Sequence, residues 1–230
     1  MENTASARDD GFFTQPFTGA VSDPALVDEI IGWYIDVFNA VGPDEWNEHW
    51  TADEVRKKLF LDTAADAERS FVTTWRSQGR LAGLGIVVVA PVSRFAASDL
   101  PPGCQDGSVL SGVRRSLGWL VGPETPILFY REFGLRKEFR GGLAPILRLL
   151  GDSLEAGMGI GAEYACCWTS RKKRLYPILV GLDLHLAYAF GDEQDNVLVG
   201  DVFPHLLRKI RTSPDEAALH IRERIAAHRR

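Results

Sequence analysis

Apolar positions along the chain alternate between two periods, and the changes of period mark its elements. Leu26, Val27, Ile30, Ile31, Tyr34, Val37 and Phe38 recur at helical spacing behind a capping Ser22 or Asp23 and a first-position Pro24, which predicts a helix. A second helix opens at Thr51, whose hydroxyl and Glu54 form a capping-box pair, and carries Val55, Leu59 and Phe60. Residues 70–75 and 81–91 flank Ser77-Gln78-Gly79-Arg80, a polar turn that predicts an antiparallel hairpin. The second of these strands, 84–89, is apolar on both faces, as a central strand covered by helices must be. Between 92 and 124 the pattern breaks into a loop at 99–103 and a helix at 107–120 with Val109, Leu110, Val113, Leu117 and Leu120 on one face.

An apolar strand beginning at Ile127 then runs through a glycine-bearing turn into a helix over 144–156, with Ile146, Leu147, Leu149, Leu150 and Leu154 inward. Glycines 157, 159 and 161 end that helix, and 162–168 is a buried strand. Residues 185–190 and 197–202 predict a closing hairpin. Ser213-Pro214-Asp215-Glu216 opens a last helix over 213–229, which packs on the domain or forms the contact of a homodimer. The first 21 residues are polar except for Phe12, Phe13 and Phe17, and read as a flexible tail or as one pinned by those rings. Trp33, Trp46 and Trp50 cluster near the first two helices, as packing between them or as walls of a pocket.

Composition narrows the class. With 230 residues, 45% hydrophobic and 25% charged, the chain is long enough for one substantial core, assigned to residues 22–230. No stretch approaches the roughly 20 apolar residues of a membrane span. A net charge of −5 and a pI of about 5.6 provide no overall attraction to nucleic acid or to an anionic membrane, so neither is expected as a partner. The first residues lack the basic start and apolar run of a signal peptide, which makes a cytoplasmic location the default expectation. Cys104, Cys166 and Cys167 form neither a disulfide framework nor a metal spacing, and the adjacent pair reads as small buried hydrophobes. Histidines 49, 185, 205, 220 and 228 show no ligand spacing either, and no metal is expected.

The chemistry concentrates at Gly141 and Gly142. Glycines let a bound group approach the backbone, and the amides at the start of the following helix face outward with the positive end of the helix dipole behind them. That arrangement suits a pyrophosphate; without a ligand it is a tight strand-to-helix turn. The order Glu132-Phe133-Gly134-Leu135-Arg136-Lys137-Glu138-Phe139-Arg140-Gly141-Gly142-Leu143-Ala144 resembles the central motif of the GNAT (general-control-related N-acetyltransferase) acyltransferase superfamily. Arg174-Leu175-Tyr176-Pro177-Ile178-Leu179-Val180-Gly181-Leu182 resembles the family's short helix before its closing hairpin. Pro177 is expected to push Tyr176 out of helical geometry.

The resemblance implies an α/β (α+β) fold: a mixed, mostly antiparallel central sheet with helices on both faces, a helical insertion at 92–124 and an added C-terminal helix. It implies that acetyl-coenzyme A or another acyl-coenzyme A is bound by Phe133, Gly134, Leu135, Phe139, Arg140, Gly141, Gly142, Leu143 and Ala144, with Arg171 at the 3′-phosphate. Tyr176 becomes the general acid, since a phenol keeps its proton at neutral pH for a leaving thiolate. Glu132 becomes the general base or the partner of a basic neighbour. The implied activity is transfer of an acetyl or other short acyl group to the amine of a small molecule or amino acid. Two alternatives stand beside it: a longer-chain transferase served by an acyl carrier protein that docks on the basic run 171–174, and a non-catalytic acyl-coenzyme A binding module.

Overall fold

The computed structural model describes residues 10–17, 23–42, 45–61, 69–97, 100, 107–191, 195–201, 205–212 and 214–228. In chain order, β1 (Gly11–Pro16) and α1 (Pro24–Phe38) precede α2 (Ala52–Arg56), which widens into a π-helical turn at Lys57–Leu61. The hairpin of β2 (Ser70–Ser77) and β3 (Arg80–Pro91) follows, then α3 (Gly107–Val121), β4 (Pro126–Leu135), α4 (Ala144–Gly159), β5 (Tyr164–Ser170) and α5 (Leu175–Gly181). After β6 (His185–Phe190) and β7 (Asp195–Asp201) come α6 (Leu207–Thr212) and α7 (Pro214–His228).

Local chemistry accounts for the boundaries. Asp23 caps α1 by accepting from the amides of Ala25 and Leu26 at 3.0 and 3.3 Å, and Thr51 and Glu54 complete both halves of the capping box on α2. Gln78 and Gly79, with φ of 55° and 70°, make the two-residue turn whose twist matches the hairpin of β2 and β3. Pro177 does not displace Tyr176, contrary to expectation: α5 begins at Leu175 and carries Pro177 in its first turn, where a missing N–H leaves no helical bond unmade.

The strands form one sheet in the order β1-β2-β3-β4-β5-β7-β6, the mixed and mostly antiparallel arrangement expected. Phe12, Phe13 and Phe17 do not belong to a flexible tail. Gly11–Pro16 pairs antiparallel with β2, Phe12 stacks on Trp75 at 5.5 Å, and Phe17 is buried against Phe60. A polar strand with few apolar side chains is invisible to periodicity; its stability comes from the ladder and from a hydroxyl chain in which Thr14, Thr73 and Ser153 link β1 and β2 to α4 at 3.0 and 2.9 Å.

The parallel pairing of β4 with β5 decides the shape of the site. It extends over four residue pairs, Ile127↔Tyr164 to Tyr130↔Cys167. Beyond them β4 continues to Leu135 against β3 while β5 continues to Ser170 against β7, so the two strands part into a fork. At the same level β4 carries a bulge, where its register against β3 shifts by one residue: Val87 faces Tyr130 and Ile86 faces Glu132. The extra residue increases the local twist of β4, which turns it away from β5.

Helices α4 to α7 cover one face through a core that includes Leu128, Tyr130, Leu150, Leu154, Ile178 and Ile221. On the other face α1 and α2 bury Ile30, Trp33, Tyr34 and Ile86, and α3 buries Val113 and Leu117 beside Phe95 and Phe129. The inserted helix therefore packs on the sheet, with Leu120 of its expected face half-exposed. Helix α7 packs on α5, where the wholly buried Ile221 meets Gly181. Cys166 and Cys167 are buried, and burial pushes the Cys167 thiol up to about 12, so both behave as apolar residues. Cys104, most of the 99–103 loop and residues 192–194 lie outside the described residues.

Candidate functional site

The fork opens into a cavity of about 300 Å³ whose walls are mostly apolar. Phe133, Gly134 and Leu135 at the end of β4 form one wall, continued by Arg140, Gly141, Gly142 and Leu143 of the turn and Ile146 of α4. Lys173, Arg174, Leu175 and Ile178, from the turn after β5 and from α5, form the other. Three distant segments complete it with Val37 of α1, Trp46, and Arg222 of α7. Four cationic side chains, Arg140, Lys173, Arg174 and Arg222, thus share one apolar cleft with the start of α4.

The glycine turn is bare by design of space. A Cβ added at Gly141 or Gly142 would meet nothing within 4 Å, whereas at Gly157 it would lie 2.2 Å from Leu128 Cδ1. Gly157 lets α4 lie close on the sheet; Gly141 and Gly142 leave the cavity floor open. Leu143 makes no side-chain cap, Pro145 carries no N–H, and Leu147 N donates to the Leu143 carbonyl at 2.9 Å, so the amides of Ala144 and Ile146, with the helix dipole behind them, are the first-turn donors that favour an anion at this end.

Of the residues singled out from sequence, Phe133, Gly134, Leu135, Arg140, Gly141, Gly142 and Leu143 line this cavity, and Ala144 starts α4 next to them. Phe139 does not line it: its ring packs edge-on against Trp75 at 5.5 Å. Arg171 stands exposed in the turn after β5, while Lys173 and Arg174 of the same basic run reach the cavity. Tyr176 packs against the α4-side core, and its helical neighbours Leu175 and Ile178 are the ones that line the cleft. Glu132 faces the α1–α2 layer, 4% exposed, with Lys58 Nζ 2.5 Å from its carboxylate.

No family model matches the sequence, and no curated protein matches it. Solved structures do. The CoA-dependent acyl-homoserine lactone synthase BjaI aligns over 94% of this chain and 100% of its own, with TM-score 0.55 and 12% identity. PH1933 of Pyrococcus horikoshii OT3 aligns over 83% of this chain and 98% of its own, with TM-score 0.53 and 12% identity. The structure of SsHAT covers 84% of this chain and 100% of its own, with TM-score 0.52 and 15% identity. The chain has the GNAT fold.

Within this GNAT fold, two polar groupings beside the cavity have no motif. In the first, Glu45 is 4% exposed, accepts from Arg140 Nη1 at 2.7 Å and lies 3.7 Å from Lys137 Nζ, while Arg140 Nε donates to the Leu135 carbonyl at 2.9 Å. The guanidinium of the turn is thereby fixed on two sides. In the second, Lys58 pairs with Glu132, donates to Tyr34 Oη at 2.8 Å and stands 5.2 and 4.9 Å from the Tyr34 and Trp50 ring centres. Trp50 Nε1 donates to Glu48. Burial, with the Glu132 and Glu48 charges beside it, pushes the Tyr34 hydroxyl far up, so it stays a neutral donor. A sequence holds no signal for either grouping, because each joins residues from separate elements.

Burial, and then the Glu132 charge, raises the Glu48 carboxyl above its ordinary range, against the Trp50 bond and the Lys58 and Lys173 charges. The folded chain therefore keeps a proton that the unfolded chain has already released. The stabilisation from Glu48 is complete below the ordinary value of about 4.3 and is lost as pH rises through the raised value. Glu48→Gln, which keeps an acceptor for Trp50, is expected to raise Tm at pH 7 by about 2–4 °C, with the gain vanishing near pH 4. Calorimetric melting of both forms across pH checks this.

Proposed function

We propose that the protein is an acyltransferase that moves an acetyl or other short acyl group from acyl-coenzyme A to the amine of a small molecule or amino acid, both substrates bound at once. The observation that carries this reading is the apolar cleft along the β4–β5 fork, which is lined by bare glycines and four cations beside the amide end of α4. A long apolar arm tipped by phosphates matches such a cleft. The GNAT fold supports it by analogy.

When bound, acyl-coenzyme A supplies an activated thioester. The amides of Gly141, Gly142, Ala144 and Ile146 would hold its diphosphate, with Arg140 and Arg222 adding charge. Phe133, Leu143, Ile146 and Ile178 exclude water along the arm. Beyond Tyr130, the β5-facing edge of β4 has no ladder partner among the described residues, which leaves backbone groups at Glu132–Leu135 to orient the carbonyl. Tyr176, in the first turn of α5 between Leu175 and Ile178, is assigned the proton for the leaving thiolate. Glu132, held by Lys58 next to Tyr34, relays the amine's proton rather than meeting it in solvent.

The deciding experiment is calorimetric titration of acetyl-coenzyme A, followed by an amine screen with thiol release as readout. Micromolar binding and turnover are the expected result; no binding would overturn the reading. Tyr176→Phe is expected to lower kcat roughly tenfold to a hundredfold with donor affinity unchanged. An unchanged kcat would give thiolate protonation to solvent, and inactivity of the wild type with intact binding would identify a binding module. A second reading has two forms: a carrier-protein donor, favoured by the exposed Arg171, Lys172 and Arg174, and a longer acyl group, favoured by likeness in fold to BjaI, whose structure contains isopentyl-CoA.

A further inference from the structure

Residues 45 and 46 cross the mouth of the fork and are anchored on both sides of it. On the β4 side, the buried Glu45 carboxylate holds Arg140 and Lys137. On the β5 side, Lys173 Nζ donates to the Glu45 carbonyl and stands 4.7 Å from the centre of the Trp46 ring. Trp46 meets Trp168 edge-on at 5.6 Å and Phe38 at 5.5 Å. Trp168 is the first β5 residue past the last β4–β5 pair, Tyr130↔Cys167. The Trp46 indole therefore stands where the strands part, on the α1 face of the sheet, and lines the cavity together with Val37.

We propose that Trp46 sets the length of the acyl group: its ring closes the cavity at the fork, admits a short acyl chain and excludes a long one. The proposal rests on the acyltransferase reading and settles which donor that reading takes. Three side chains hold the indole, Phe38 of α1, Trp168 of β5 and Lys173 of the following turn, and the ion pairs of Glu45 fix the adjoining backbone. A ring so held cannot swing aside without breaking an aromatic pair and a cation–π contact together. It acts as a wall, and a wall of this kind rejects each added methylene by roughly tenfold or more. Where the wall is removed, each further methylene that enters gains about fourfold in affinity.

The test titrates free coenzyme A and its acetyl, butyryl, hexanoyl and octanoyl thioesters into wild type, Trp46→Phe and Trp46→Ala. Wild type is expected to bind acetyl- and butyryl-coenzyme A best and to lose affinity at least tenfold at octanoyl. Trp46→Ala should bind the octanoyl thioester at least tenfold more tightly relative to free coenzyme A than wild type does, the ratio of the two affinities being the readout. Trp46→Phe keeps a ring against Trp168 and should fall between them, which separates pocket size from damage to the fold. Wild type that binds octanoyl- and acetyl-coenzyme A equally, or variants whose profiles run parallel to wild type, would overturn the proposal and leave the donor reading intact. Failure of wild type to bind free coenzyme A would overturn both.

Discussion

Replacing Gly142 with leucine is expected to lower affinity for coenzyme A at least a hundredfold while leaving Tm within about 2 °C of wild type. The two halves of that result have one cause. A Cβ at Gly142 meets no protein atom within 4 Å, so the added side chain displaces nothing in the fold. The same position lines the cavity, so the space the side chain takes is the space of the bound anion. Phosphate oxygens held by helix-terminal amides need contact at hydrogen-bond distance, and an isobutyl group on the turn keeps them out. The opposite outcome is expected at Gly157, where a Cβ would sit 2.2 Å from Leu128 Cδ1: there a larger residue overpacks the core, with a loss of about 1–3 kcal/mol or more. Calorimetric titration and thermal melting of Gly142→Leu, run together, check both halves. Retained affinity would make the turn a structural feature only.

The second large effect is on stability. Lys58→Met is expected to destabilise the protein by about 3 kcal/mol, and Glu132→Gln in the same chain to recover most of that loss. Glu132 is 4% exposed, and Lys58 Nζ lies 2.5 Å from it. Removing the cation leaves a carboxylate in a site already crowded by the Tyr34 hydroxyl and the Glu48 charge, and a buried unpaired charge costs several kcal/mol. The lower end of the usual range applies because the Lys58 side chain is 24% exposed and water already shares its charge. Methionine preserves the length of the apolar stem between Tyr34 and Trp50, so packing alone does not explain a loss of that size. Urea unfolding of both single variants and the double variant measures the coupling. A cost below about 1 kcal/mol for Lys58→Met would show that the pair is solvated and that Glu132 is no part of a buried relay.

Residues whose role depends on neighbours in the chain were legible in advance. The helices over 24–38 and 214–228, the hairpin at Gln78-Gly79 and the strand-turn-helix around Gly141-Gly142 follow from spacing, caps and turn residues, all local quantities. The resemblance at 132–144 placed most of the cavity wall for the same reason. What escaped was of another kind. The polar strand at Gly11–Pro16 has no period to detect and exists because β2 offers it an open edge. Arg222 reaches the cavity because Ile221 packs on Gly181, and Phe139 turns from it because Trp75 offers an edge-on contact.

By itself, then, the sequence determined most of the helices and strands between Pro24 and His228, where they cap and turn, and that a bare glycine turn precedes a helix in the GNAT manner. Only the tertiary structure decided that β4 and β5 part after four pairs, that Glu45 and Trp46 bridge the opening, and that Lys58 belongs to Glu132. The physical reason is range. Backbone periodicity and capping act over a few residues and are written into adjacent letters. The pairing of a buried carboxylate or the closing of a cavity depends on surfaces from distant segments meeting at van der Waals distance, a condition that exists only once the whole core has packed.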